Sequence, residues 1–472
     1  MSEATMTTAA EPDGAPRVAS LDILRGVAIL GILFMNINDM GGSLWASFGD
    51  VRHLGWSRAD QVAWWLREIF ADGTARCMLE VLFGVGMVIL TDRAATALDT
   101  AATGSEGVFR AAARVLFGDG VVMRRYYLRN FILFLFGLVH IFILLWPGDI
   151  LHTYGIAAMV AFLFRRLQPA ALLGFGLVMA FGLLFFGGLG LHAEQQSRVE
   201  VAQLQARRDA GQTLTAEQAK QVAAQASNEA AQAKGRAEER ARVALEDKRR
   251  TATTGNFMTW ATNAWTTMLF LWGRSDGIGR GEFLEPLFVW EAAGTMLIGA
   301  ALFKWGIIQG QRSRRFYLVM TLAAYAIGLT GRAAAAYWQV QFDAYPHPIV
   351  ATSEVTRLAT TLGHIGLIHL MLGSAPGRTL LKPFEAAGRT ALTLYILQSV
   401  ICLWVIYPPF ALGLYGQQGW MALMLTALAL NALLLWAANW YLRDHVIAPV
   451  EWAWRSIIAG RVLPMRRKPA LS

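Results

Sequence analysis

Long apolar runs, each broken by a short polar or basic stretch, recur from residue 20 to residue 441. Runs of about 17–25 residues match the length at which a helix crosses a bilayer. On that rule spans fall near 20–39, 74–92, 127–146, 149–164, 169–191, 284–303, 316–335, 354–373, 388–407 and 419–441. The pattern predicts an all-α polytopic membrane protein of about ten transmembrane helices.

The interruptions are as informative as the runs. Within residues 40–73, Val62, Leu66 and Ile69 recur at spacings of four and three, with Arg67 and Glu68 off that stripe. This predicts a periplasmic interfacial helix lying on the membrane surface. Residues 193–255 are rich in Ala, Gln, Glu, Arg and Lys, with no strong apolar stripe. Thr215 and Gln218 have capping-box spacing, so this insertion reads as a polar, solvated helical excursion on the extracytoplasmic side. Residues 256–273 are apolar but hold Asn263 and several Thr, and are expected to lie at the interface or insert partly.

The expected organisation is a disordered cytoplasmic tail over 1–18, five spans over 19–192, the insertion over 193–255, a second membrane region over 256–442, and a cytoplasmic amphipathic tail over 443–472.

Composition strengthens this picture. Of 472 residues, 55% are hydrophobic and 16% charged, and the mean hydropathy is +0.40. The net charge of +9 does not indicate nucleic acid. Lys and Arg cluster in the stretches 92–125, 165–168, 304–315, 374–389 and 442–472, and are missing from 147–150, 336–352 and 408–418. The positive-inside bias then places both termini in the cytoplasm, with the lipid bilayer as the main partner. The two cysteines, Cys77 and Cys402, lie in apolar segments and imply no disulfide framework.

Ionisable and amide side chains inside apolar runs are the candidates for chemistry, because lipid tolerates them only where they face protein or a wet cavity. The first run carries Asp22 and Arg25 at one end, three apart and hence on one helix face, and Asn36 and Asn38 at the other. The Arg fork suits an anion. Arg76 and Glu80 are four apart, and Glu291, flanked by Glu282 and Glu285, is costly to bury, with Arg332 as one available partner. His140 is placed as a base, with Asp149 and His152 just beyond Pro147-Gly148. His364 and His369, five apart, read as separate packing contacts. No ligand pair such as His-x-x-x-His occurs, so no metal is expected. Glu451 and Arg455 read as a local pair, with Trp452 and Trp454 as interface anchors, and Gly84 and Gly86 as close-packing positions.

Several stretches stand out together: Leu21 to Leu33 with Met35-Asn36-Ile37, Leu82 to Met87, Phe136 to His140 running on to Trp146 through Leu151, Gly388 to Thr393 with Tyr395 and Gln398-Ser399, Leu412 to Gly416, and Pro449 to Arg455. In this order they resemble the YeiB-like bacterial inner-membrane proteins, known as domain of unknown function 418. Leu24-Arg25-Gly26 also looks like the start of integral-membrane acyltransferases, in which a His follows the Arg after eleven positions. Here that position holds Asn36, which cannot act as a base.

The acyltransferase resemblance implies acyl-CoA as a cytoplasmic thioester donor and a small-molecule or lipid-linked acceptor. In that reading His140 and Asp149 are the catalytic pair, while Asp22, Arg25, Asn36, Asn38, Arg76, Gln398 and Ser399 bind substrate or donor. A transporter or flippase for a small anionic or lipid-linked solute is the alternative, and a scaffold acting through 193–255 is a third expectation.

Overall fold

A computed structural model describes residues 19–44, 46, 50–99, 120–251, 257–272, 284–342 and 347–467. The tail 1–18, Arg110, Arg114, Glu282 and Lys468 lie outside the described residues. Among these residues the fold is all-helical, with no strand beyond one isolated bridge between His445 and Arg466.

The helices are α1 Ala19–Gly41, α2 Arg58–Leu66, α3 Thr74–Asp99, α4 Gly120–Phe142, α5 Leu151–Ala161, α6 Pro169–Asp209, α7 Ala216–Thr251, α8 Phe257–Trp272, α9 Leu284–Lys304, α10 Arg314–Gln339, α11 Ser353–Leu372, α12 Ala375–Arg389, α13 Ala391–Val400, α14 Trp420–Tyr441 and α15 Pro449–Ala459.

Six helical segments among the described residues are long and apolar enough to cross a membrane: Ala19–Gly41, Arg58–Thr91, Pro286–Lys304, Arg314–Gln339, Pro348–Leu372 and Trp420–Tyr441. A seventh appears if Ala375–Arg389 and Ala391–Ile406, bent by 79°, are one broken span. The chain is thus a multi-helix membrane protein, with fewer plain spans than the apolar runs predict. The reason is local. The first half of α4 carries Arg124, Arg125, Arg129 and Asn130. The apolar helix Leu151–Phe164 is too short to cross alone.

The stripe Val62 and Leu66 is exposed, while the Arg67 and Glu68 side chains turn inward. Arg67 pairs with Asp72 at 2.7 Å and with Glu68 at 3.1 Å, and its Nε donates to the Phe34 carbonyl of α1. A π turn, Arg67–Ala71, follows α2 and leads into α3.

The expected boundary at 192 has no break. α6 runs unbroken for 41 residues, about 60 Å at 1.5 Å per residue, or roughly twice the hydrocarbon thickness. Its far half pairs with α7 around Val201, Leu204, Val222 and Leu214. The capping box forms: the Thr215 N–H donates to Gln218 Oε1 (3.0 Å) and the Gln218 N–H to Thr215 Oγ1 (3.2 Å).

The insertion is not solvated throughout. Near the end of α7, Glu246 is buried, accepting bonds from the Ser43 hydroxyl and from Asn263 Nδ2 (3.2 Å). The Tyr415 hydroxyl donates to Asp247 Oδ1 at 3.4 Å.

Close approach needs glycine where α1 crosses α12. A Cβ on Gly388 would lie 1.8 Å from the Asp22 carbonyl oxygen, and one on Gly26 would lie 2.0 Å from that of Phe384. Small residues let backbones meet in a membrane, where dispersion and polar contacts drive association. Gly84 packs against the Met296 carbonyl in the same way, but Gly86 meets nothing within 4 Å, so only the first is a packing position.

Glu451 has partners on another helix. Its carboxylate accepts from the N–H groups of Leu392 (2.7 Å) and Thr393 (3.2 Å), capping the start of α13. Burial pushes this carboxyl above the ordinary glutamate range, against the opposing pull of the bonds from Thr393 and Leu392.

Candidate functional site

Two polar clusters lie inside the helical bundle. The first is built where the 143–150 loop folds back so that α5 starts beside α4. Gly137 allows this, since a Cβ there would lie 2.4 Å from the His152 nitrogen. The fold-back buries Asp149 against His140, with His140 Nδ1 2.6 Å from Asp149 Oδ1. His152 Nδ1 lies 2.9 Å from Asp149 Oδ2, and the His152 backbone N–H donates to the same oxygen at 2.9 Å. The Tyr395 hydroxyl of α13 donates to Asp149 Oδ1 at 3.3 Å and accepts from the Ile150 N–H at 3.1 Å.

One carboxylate therefore gathers two imidazoles, a phenol and a backbone amide. An acceptor-only carboxylate fixes Nδ1 of His140 as the protonated nitrogen. The other nitrogen, His140 Nε2, is buried and has no hydrogen-bond partner. This is the arrangement of an oriented base with its lone pair free. The ring also packs edge-on against Tyr395, with centroids 4.8 Å apart.

The second cluster joins α3, α9 and α11. Arg76 Nη2 lies 3.0 Å from Glu291 Oε2, and its Nε 3.6 Å from Glu80 Oε1. Arg357 contacts Glu80 at 3.2 Å, Glu354 through Nε at 2.8 Å, and Glu291. Glu80 is fully buried and Arg357 is 4% exposed. Two arginines thus face three glutamates.

α5 links the clusters. It carries His152 to the first and Tyr154 to the second, where the Tyr154 hydroxyl donates to the Arg76 carbonyl (3.0 Å) and to Glu80 Oε1 (3.4 Å).

Arg332 is not the partner of Glu291. Its guanidinium donates instead to the carbonyls of Glu68, Ile69 (2.9 Å) and Asp72 (2.7 Å), tying α10 to the π turn. Arg357 is the functional-looking residue that pattern reading passed over. Its signal was a cation inside the apolar run 354–373, three residues after Glu354.

The other expected residues are dispersed. Arg25 pairs with Asp22 at 2.8 Å, its side chain 38% exposed, at the α1–α12 crossing. Asn36 is half-buried, and Asn38 is buried with Nδ2 donating to Asp39 Oδ1. Gln398 ties helices together: its Nε2 donates to the Ile29 carbonyl (3.2 Å) and to Asn431 Oδ1 (3.3 Å), while Asn431 donates to the Leu30 carbonyl (2.8 Å). Ser399 is buried, and its hydroxyl has no partner.

His364 bridges the Tyr325 hydroxyl and the Phe70 carbonyl, whereas His369 bonds the Ile308 carbonyl, so the two make separate contacts. Among the described residues, no group of three or more His, Cys, Asp or Glu side chains is arranged to hold a metal. Cys77 and Cys402 are buried free thiols.

These features define a polytopic, all-helical membrane protein with an ionisable interior. Residues 302–461 match the family model described as "Protein of unknown function (DUF418)". The chain is 28% identical over 465 residues to the uncharacterized protein YxaH of Bacillus subtilis (strain 168), covering 96% of each chain. It is 26% identical over 452 residues to the uncharacterized protein YeiB of Escherichia coli (strain K12), covering 93% of this chain and 96% of that one. Together these matches support a YeiB-like DUF418 family for the chain. No solved structure matches it.

Proposed function

We propose that the protein is an integral-membrane acyltransferase, moving an acyl group from a thioester donor such as acyl-CoA to a hydroxyl of an envelope acceptor. The observation that carries this reading is His140, oriented through Nδ1 by Asp149 and left with Nε2 unpartnered. Such a nitrogen takes the proton of an attacking hydroxyl and returns it to the leaving thiolate. Asp149 holds the tautomer and stabilises the imidazolium that forms. Arg25 is the donor-binding candidate, because its exposed guanidinium suits an anionic headgroup or cofactor tail.

The topology that goes with this function keeps both termini cytoplasmic, with α2 at the periplasmic interface and the α6–α7 hairpin extending outward. The basic clusters of the sequence support it. A periplasm-only reporter fused to the C-terminus stays silent on this topology.

A second reading, transport of a small anionic or lipid-linked solute, draws on one observation: the buried Arg76–Glu80–Glu291–Glu354–Arg357 network. Intramembrane charges of this kind mark substrate or proton paths.

The test is transfer of label from radiolabelled acetyl-CoA to an alkyl glucoside by purified protein in liposomes. Wild type transfers the label, and His140→Ala is slowed by about 10²–10⁴-fold, the usual contribution of a positioned base. A wild-type protein that transfers nothing, yet supports solute counterflow, removes the enzyme reading.

A further inference from the structure

His140 Nε2 and Ser399 Oγ are buried polar atoms with no hydrogen-bond partner. The first is the base of the proposed reaction. The second stands only among the residues expected to bind substrate or donor.

Ser399 has an easy route to satisfaction that it does not take. A serine inside a helix ordinarily bonds the carbonyl four residues back. Here that carbonyl is Tyr395, and no such bond forms. The hydroxyl is fully buried.

Its position is bracketed. Tyr395 and Ser399 are one turn apart and share a face of the helix. Tyr395 touches the His140 ring and Asp149. On the other side of Ser399, Trp404 Nε1 donates to the Leu144 carbonyl, just past the end of α4 (3.2 Å). The helical stretch Ala391–Ile406 is therefore pinned to the His140 segment both before and after Ser399. One turn separates neighbouring Cβ atoms by about 5–6 Å, so Ser399 lies one turn along the helix from the residue that touches the imidazole.

Two unpaired groups of opposite role thus sit on segments packed against each other. One is a proton acceptor; the other is a neutral proton donor. A transfer site needs both, with the reacting carbon between them.

We propose that Ser399 is a catalytic residue of the acyl transfer, donating its O–H to the oxyanion of the thioester. This rests on the acyltransferase reading. The acceptor hydroxyl oxygen bonds to the thioester carbonyl carbon while its proton passes to His140 Nε2. The carbonyl π pair moves onto oxygen, where the Ser399 hydroxyl meets it. Collapse breaks the C–S bond, and the departing thiolate takes the proton back from His140. Ester and free thiol leave, and no oxidant or reductant is consumed.

The same geometry separates this role from a structural one. A hydroxyl with no partner contributes nothing to folding, so its removal leaves the fold as stable or more so. The test uses full-length protein in liposomes, with radiolabelled acetyl-CoA and an alkyl glucoside. Ser399→Ala lowers kcat by about 10²-fold, the usual loss for one oxyanion donor, with KM little changed. Its melting temperature does not fall. Ser399→Thr, which keeps a hydroxyl, retains more activity than Ser399→Ala.

Wild-type turnover in Ser399→Ala, with His140→Ala inactive, overturns the role of Ser399 and leaves the acyltransferase reading standing. Lost turnover accompanied by a lower melting temperature, without recovery in Ser399→Thr, also overturns it. No transfer by wild type removes both.

Discussion

Arg357 is where the interior is most exposed to a single change. Its guanidinium serves three carboxylates at once, Glu80, Glu291 and Glu354, and its side chain is 5% exposed. Arg357→Met keeps much of the volume and removes the charge. Two arginines facing three glutamates become one facing three. Breaking a buried pair from one side costs about 3–5 kcal/mol, because a charge is left without compensation.

Arg76 remains within 3.0 Å of Glu291 and 3.6 Å of Glu80, and the Glu354 side chain is 20% exposed. Both soften the loss, so the expectation is the low end, about 3 kcal/mol. A chain longer than 250 residues shifts by roughly 1–2 °C per kcal/mol, giving a melting point about 3–6 °C lower. The assay is intrinsic-fluorescence melting in detergent at one fixed scan rate. Adding Glu80→Gln to Arg357→Met removes the most buried of the stranded charges, and the double variant melts above the single one. A single variant that melts with wild type, or a double one no better than the single, refutes the buried-network argument.

Gly388→Val forces a branched side chain against the Asp22 carbonyl, and overpacking of this kind costs about 1–3 kcal/mol or more, read as a lower melting temperature with Arg25 untouched. Glu451 has a folded-state pKa raised by burial, so the unfolded chain releases its proton first as pH rises. Stability from this group falls as pH climbs from the ordinary glutamate value through the raised one, and Glu451→Gln flattens that part of a melting-temperature profile. Glu246→Ala strips Ser43 and Asn263 of their shared acceptor, and faster amide exchange in the last turns of α7 is the expected result. Unchanged exchange there would show that α7 is held by other contacts.

Much of the molecule was legible along the chain because its cause is local. Apolar runs marked the helices, since lipid demands that each backbone group bond within its own segment. The Thr215–Gln218 box, the Asp22–Arg25 pair and the Arg76–Glu80 pair follow from three- and four-residue spacing on one helix. The neighbourhood of His140 and Asp149 was also visible, because only nine residues separate them and Pro147-Gly148 turns the chain between.

What the sequence could not rank was which partner each intramembrane charge takes. Glu291 stands 66 residues from Arg357 and 215 from Arg76. Arg332 lay closer in sequence than Arg76 and was wrong. Glu246 read as one charge among many on a polar helix, yet α7 returns it to the bundle. Ser399 and Gln398 looked alike, two neighbouring polar groups, until packing paired one and orphaned the other.

Spacing along a helix is set by 3.6 residues per turn, and any chain of this composition carries that information in its order. Pairing between helices is set by which faces meet, and that depends on glycine crossings and a fold-back loop that exist only once the bundle is assembled. The sequence by itself therefore determined a membrane-embedded helical chain with ionisable residues inside it. Only the tertiary structure decided that His140 is held by Asp149 with a free nitrogen, and that the arginines of α3 and α11 share their glutamates.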